Sequence, residues 1–212
     1  MTDMPRRAVY VWVSWLTSLL SGADVCQWKT WYRSHYTFEK RLGPDDGKLD
    51  AWRIAHDEMV RARVPKLRAD GFVVQVEEQN AFKVRGRNGA TVAGKPDIVV
   101  YGIDSSLGHV IDCKSGSPRD ADAWQVRVYL WAFDLLGHTI PSGEVEYAHG
   151  SRMIGEPTPG ERERIAALVR LVSGPTAPPR QPSPTECRFC EIAACPDRIE
   201  MVDAMSGETE EF

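Results

Sequence analysis

The chain has no surplus of basic charge. Its 26 Lys and Arg stand against 30 Asp and Glu for a net charge of −4, so composition alone does not mark it as a binder of polyanions. It also lacks an apolar run able to cross a bilayer. Ala8 to Leu20, following Arg6 and Arg7, imitates a signal sequence, but Ser14, Thr17 and Ser18 interrupt it and Trp12 and Trp15 load it. No convincing small-residue cleavage site follows, and the stretch is too short to span a membrane. These absences predict a cytoplasmic protein with no membrane partner, in which the five cysteines do not form a disulfide framework. There is no internal repeat. Basic residues are missing altogether from the last thirteen positions, which carry five acids and read as a solvated tail.

A length of 212 residues suits one good core with a small appendage. Basic residues outnumber acidic ones 12 to 9 over residues 1–70, a local surface that could meet phosphates. A helical reading begins at Ser14 and runs through Cys26, Gln27, Trp28, Lys29, Thr30, Trp31, Tyr32 and Arg33; residues 9–13 fit a short strand or the start of that helix. Gly43 to Gly47 is a break. From about Lys48 a helix carries Trp52, Ala55, Met59 and Ala62 at helical spacing, which puts His56 on the inward side, and Pro65 ends or kinks it. Strand-like runs follow at Phe72–Glu77, Ala81–Arg85, Asp97–Tyr101 and His109–Cys113, then a helix with Ser117 as N-cap and Pro118 in its first turn that stops at Gly137. Glu144–His149 reads as another strand. Ile165, Leu168, Val169 and Val172 make a short amphipathic helix ending near Gly174. The order predicts an α/β (α+β) architecture, a mixed sheet flanked by helices. The predicted organisation is a domain over residues 1–174, a proline-rich linker at 175–184, and a cysteine-bearing segment with an acidic tail at 185–212 that packs with Cys26.

The chemistry is concentrated in Gly94-Lys95-Pro96-Asp97-Ile98-Val99-Val100 and Val110-Ile111-Asp112-Cys113-Lys114-Ser115-Gly116. These place two acids at the exits of neighbouring apolar strands. In an extended strand Asp112 and Lys114 share one face and Cys113 takes the other, so a carboxylate and an ammonium project into the space of Asp97. Two carboxylates can hold a divalent cation such as Mg²⁺ or Mn²⁺, and a lysine can stabilise charge developing on a phosphodiester under attack. Gln125 and Tyr129, four apart, share a helix face where amide and phenol could hold a phosphate or the lysine. Cys113 alternates away from this pocket and reads as a packed thiol. Glu77 and Glu78 could add a carboxylate, though nothing in their spacing decides it.

Read in order, an early cysteine, His56, Asp97, Asp112-x-Lys114, Gln125-x-x-x-Tyr129 and three late cysteines resemble the PD-(D/E)XK nuclease superfamily. More closely, they resemble its RecB-like CRISPR-associated exonucleases of the Cas-four type. The likeness runs from about Ser14 to Cys195 and implies a restriction-endonuclease-like fold. It implies that Asp97, Asp112, Lys114, Gln125 and Tyr129 form the catalytic set, and that His56, Asp97, Asp112 and the backbone carbonyl of Cys113 bind the cation. The implied activity is exonucleolytic, on single-stranded DNA or DNA ends, commonly 5′ to 3′. The setting would be end processing, recombination or CRISPR spacer acquisition, with recombination or CRISPR adaptation proteins as possible partners. Alternatives are a structure-selective endonuclease and a non-catalytic, metal-stapled DNA-binding adaptor.

Cys187-x2-Cys190-x4-Cys195-Pro196 is a thiolate cluster of metal-binding type, with Cys26 as a remote fourth ligand, and thiolates suit either structural zinc or an iron-sulfur cluster. The resemblance implies a 4Fe-4S cluster clasping the two ends of the chain. Family members often follow the early cysteine with Pro-Arg, whereas this chain has Gln27-Trp28. Trp28, Lys29, Trp31, Tyr32 and Arg33 beside Cys26 could stack bases and meet phosphates along a strand passage.

Overall fold

The computed structural model describes residues 3–41, 49–103 and 107–200. Its elements are β1 (Met4–Pro5), β2 (Tyr10–Trp12), α1 (Val13–Ser21), α2 (Gln27–His35), β3 (Tyr36–Thr37), α3 (Leu49–Ala69), β4 (Phe72–Val76), β5 (Phe82–Arg85), β6 (Thr91–Gly94), β7 (Ile98–Gly102), β8 (Gly108–Lys114), α4 (Asp120–Leu135), β9 (Ser142–Tyr147), β10 (Gly150–Gly155), α5 (Pro159–Ser173) and α6 (Pro184–Phe189). The main sheet has the order β10-β9-β8-β7-β4, parallel only between β8 and β9. A second sheet, β2-β6-β5, and the small β1-β3 pair complete the strands. The expected mixed α/β architecture with helices around a mixed sheet is therefore present.

β8 is the middle strand. Val110, Ile111, Asp112 and Cys113 are all buried, as a strand covered on both faces requires. On one face α3 packs Val60 and Leu67 against Ile98, Val100, Ile111 and Cys113. On the other, α4 lays Val126, Leu130 and Phe133 with Val99, Val110 and Val145, and α1 and α5 close the layer with Leu16, Leu20, Ile165 and Val172. Each such side chain contributes roughly 1.5–3 kcal/mol by leaving water. β8, α4 and β9 form the crossover that joins the two parallel strands.

Several local expectations are corrected. The helix beginning at Ser14 is two helices, because Gly22 takes a left-handed φ of 80° and ends α1. Pro65 does not end α3, which continues to Ala69. The apolar stripe of α3 lies along Met59, Val60, Val64 and Leu67, so Trp52 and Ala62 are exposed rather than inward. α4 begins at Asp120, not at Ser117: the Asp122 carboxylate accepts the Arg119 backbone N–H at 2.9 Å, supplying the cap. β6 and β10 were not anticipated. The break at Gly43 to Gly47 and most of the acidic tail lie outside the described residues. Among the described residues, no helix is long and apolar enough to cross a membrane.

One close approach fixes how α4 sits on the sheet. A Cβ at Gly143 of β9 would stand 2.6 Å from Val126 Cγ1 and 2.8 Å from the Val110 carbonyl oxygen. Gly143→Ala is thus expected to lose about 1–3 kcal/mol of stability, read as a lower urea midpoint with an unchanged slope.

Candidate active site

Asp97 does not lie at a strand exit. It immediately precedes β7, and because β7 runs antiparallel to β8 with Ile98 opposite Ile111, the start of one strand meets the end of the other. Asp97 and Asp112 are neighbours for this reason. The Cys113 backbone N–H donates to Asp97 Oδ2 at 2.7 Å, and His56 Nε2 lies 3.1 Å from the same oxygen. Lys114 Nζ is 2.5 Å from Asp112 Oδ2, with its side chain 13% exposed. From α4, Gln125 Nε2 donates to Asp112 Oδ1 at 3.0 Å and to the Tyr129 hydroxyl at 2.8 Å, and that hydroxyl donates to the Lys95 carbonyl at 3.3 Å. All six side chains named from the sequence therefore meet at one end of the sheet. Cys113 faces α3 and is fully buried.

Burial dominates the electrostatics. It pushes the Asp112 carboxyl up to about 6, opposed by Lys114 and reinforced by Asp97. Burial would lower Lys114, but the Asp112 pair and the charges of Asp97 and Asp122 outweigh it and hold its pKa raised. The Asp97 hydrogen bond raises His56 against burial and against Lys114. Burial, then Asp112 and Asp97, keep the Tyr129 hydroxyl protonated far above the ordinary phenol range. Cys113 is pushed up in the same way, first by burial and then by Asp97, which leaves it an inert thiol.

The donors suit a divalent cation. Asp112 Oδ2 is buried and, although Lys114 is within ion-pair distance, the approach gives it no well-directed hydrogen bond. A carboxylate so placed, beside a second carboxylate and an imidazole, is what a hard cation takes up. Among the described residues, no group of three or more His, Cys, Asp or Glu is gathered tightly enough to hold a metal as it stands. In this arrangement Lys114 pairs with Asp112 and His56 with Asp97.

Asn80, which no sequence pattern singles out, lies beside the site with Glu77 and Glu78, the two acids considered as a further carboxylate. Asn80 is buried and donates to the carbonyls of Gln75 and, at 3.4 Å, Pro96, which anchors the loop carrying Asp97. Glu77 has φ +43°, an uncommon conformation for a non-glycine, and its N–H donates to the Asp97 carbonyl at 2.9 Å. Glu78 is instead paired with Lys95 at 3.0 Å. Asn-to-backbone bonding of this kind leaves no periodic signal in a sequence. Beyond Lys114, a pocket of about 570 Å³ is lined by Ser115, Ser117, Tyr147, His149 and Arg152, among others.

The cysteines form a separate group. All five are free thiols, and Cys26, Cys187, Cys190 and Cys195 line a single pocket. Glu186 accepts the N–H groups of Val25 and Cys26, and Arg198 donates to the carbonyls of Cys187 (2.5 Å), Cys190 (2.8 Å) and Ile192 (2.7 Å). The four thiols have the chemistry of a thiolate-bound group, and polar bonds pin residues 26 and 187–195 together, although among the described residues the thiols, like the acids, are not gathered tightly enough to hold a metal as they stand. The reading of α2 as a strand passage is corrected: Trp28 and Trp31 are buried, Lys29 pairs with Asp24, and Arg33 pairs with Glu191. Trp28, Trp31 and Ile192 are the core of the cysteine lobe.

The Asp112 shift has a measurable sign. Its folded value, about 6, is above the ordinary 3.8, so the folded chain holds the proton more tightly. Ionisation then removes stability as pH rises from about 4 to about 6, and the loss levels off above that. Melting temperatures of chelator-treated protein across this window should carry that decline in wild type and lose it in Asp112→Asn; identical profiles would contradict the assignment.

The family model of the PD-(D/E)XK nuclease superfamily matches residues 23–196. No curated protein matches the chain. Among solved structures, the crystal structure of SSO0001 is similar at a TM-score of 0.52 and 16% identity, over 93% of this chain and 91% of that one, which is a likeness of fold. The match to residues 23–196 takes in His56, Asp97, the Asp112-x-Lys114 triplet, the Gln125 and Tyr129 pair and all five cysteines, and the chain belongs to the PD-(D/E)XK nuclease superfamily.

Proposed function

We propose that this protein is a metal-dependent DNA exonuclease acting on single-stranded or frayed DNA ends in the cytoplasm. The observation that carries the reading is the convergence of Asp97, Asp112, Lys114 and His56 at one sheet end in a chain of a metal-dependent nuclease superfamily. The preference for single-stranded ends, 5′ to 3′, rests on the likeness of the motif order to the RecB-like exonucleases. Spacer acquisition or recombinational end processing, with the proteins of those pathways as partners, fits the same likeness.

Asp97, Asp112, His56 Nε2 and the Cys113 carbonyl would hold Mg²⁺ or Mn²⁺, which when bound neutralises phosphate charge and acidifies a water. Lys114 donates from its ammonium to the attacking water or to a non-bridging phosphate oxygen, steadying the charge that builds during displacement. One phosphorus–oxygen bond forms to the water oxygen as the bond to the leaving sugar oxygen breaks, the water proton passes to solvent, and the leaving oxygen takes a proton from solvent to become the sugar hydroxyl. Gln125 fixes Asp112 through Oδ1, and Tyr129, kept protonated, fixes Gln125. These two are positioning groups. The pocket beyond Lys114 offers serine hydroxyls and Arg152 to the adjoining backbone.

Cys26, Cys187, Cys190 and Cys195 would hold a 4Fe-4S cluster, or a structural zinc ion in its place, with an architectural role joining α2 to the C-terminal segment. Iron and acid-labile sulfide in anaerobically purified protein are the expected finding. Zinc alone would decide for the alternative. In either case Cys187→Ser should lower the melting temperature while leaving the far-ultraviolet spectrum of the sheet domain in place.

End-labelled linear and circular single-stranded DNA, with Mn²⁺ or Mg²⁺, test the activity. Linear DNA is expected to be degraded and circular DNA spared, with Lys114→Ala reducing the rate by about 100-fold or more. Cleavage of the circle would identify an endonuclease, and an inactive wild type in both metals would leave a DNA-binding adaptor. Mn²⁺ should raise the melting temperature of wild type but not of the Asp97→Ala and Asp112→Ala double variant.

A further inference from the structure

Trp52 stands one helical turn before His56 on α3 and is 46% exposed. Its ring lies against the His56 imidazole, with centroids 5.6 Å apart and planes inclined by 26°. The same imidazole reaches Asp97 at 3.1 Å. The indole is therefore one side chain away from the Asp97 and Asp112 pair, and much of it faces water. The contrast with Trp28, Trp31 and Trp131, each less than a tenth exposed, is informative. Those three supply packing, whereas Trp52 lies outside the stripe by which α3 packs on the sheet. A large aromatic left in water beside charged groups adds little to the core, and a flat apolar face is what an unstacked nucleobase seeks.

We propose that Trp52 is a base-stacking platform of the active site, receiving the unpaired nucleobase next to the scissile phosphate. This rests on the nuclease reading above and adds its substrate specificity. In a duplex each base is paired and covered above and below, so it can lie on Trp52 only after leaving the helix. A single strand or a frayed end presents that base without the unpairing cost. Stacking tolerates every base because each has a π-face, so the platform selects strandedness rather than sequence.

The test pairs variants with base-less substrates. Binding is measured on the Lys114→Ala background without cleavage, by fluorescence anisotropy of a single-stranded oligonucleotide, and turnover on the wild-type background. Trp52→Ala and Trp52→Leu are expected to weaken binding of the intact strand about ten-fold, and Trp52→Phe to retain most of it. A series of oligonucleotides carrying one abasic position each should contain one register at which the parent binds as weakly as Trp52→Ala binds the intact strand. At that register Trp52→Ala should add no further loss. Melting curves check that each variant is folded, and Trp52→Phe and Trp52→Leu keep the comparison open if the alanine variant is not.

The inference is overturned if Trp52→Ala and Trp52→Leu bind the intact strand as the parent does. It is equally overturned if their loss is the same on intact and on every abasic strand, since Trp52 would then act only by orienting His56. Either result leaves the nuclease reading standing when the wild-type enzyme still cuts. A wild type that neither binds nor cuts DNA would remove both.

Discussion

The structure turns on a carboxylate that has been taken out of water. Asp112 is 1% exposed in the middle strand of the sheet, a position where an ionised group is tolerated only if its neighbours satisfy it. Gln125 and Lys114 do this in part, one through Oδ1 and the other through Oδ2. The demand spreads outward: Gln125 needs α4 seated close on β8, which needs the bare Gly143 beneath Val126, and Tyr129 in turn secures the amide. Buried ion pairs of this kind are weak evidence for stability, so their retention at the sheet end suits a site that gains its balance when a cation arrives.

The second constraint is strand direction. β7 and β8 are antiparallel, which brings the residue before one strand beside the last residues of the other. Had they been parallel, Asp97 and Asp112 would lie at opposite ends of the sheet. The loop bearing Asp97 is further fixed by Asn80 on Pro96 and by the left-handed Glu77, whose conformation only a well-determined surrounding would hold. α3 then brings His56 down from the other face, with Arg63 clamping the same helix to Glu144 and Glu146 of β9 at 3.1 and 2.9 Å.

The cysteine lobe is organised on different terms. Trp28, Trp31 and Ile192 form a small apolar centre, Arg180 lies 4.7 Å from the Trp28 ring, and the Trp31 indole donates to the Gly174 carbonyl at 2.8 Å. These contacts hold the start and end of the chain together without a covalent link. A core this small is ordinarily supplemented by a metal or by crosslinks, and four thiols line the pocket beside it.

Much of this was local and so legible in the sequence. Alternation in Val110 to Lys114 separated Cys113 from Asp112 and Lys114, and the four-residue spacing put Gln125 and Tyr129 on one face, because side-chain direction in strands and helices follows from backbone period alone. Glycine at 22 and the cap at Asp122 were also local, yet they yielded to stronger periodic patterns around them. What the tertiary structure decided was everything that depends on pairing at a distance: that Asp97 precedes its strand, that His56 reaches it while Trp52 stays in water, and that α2 buries its tryptophans. Period fixes which residues share a face, but which face is covered is set by segments far along the chain, and no local pattern carries that information.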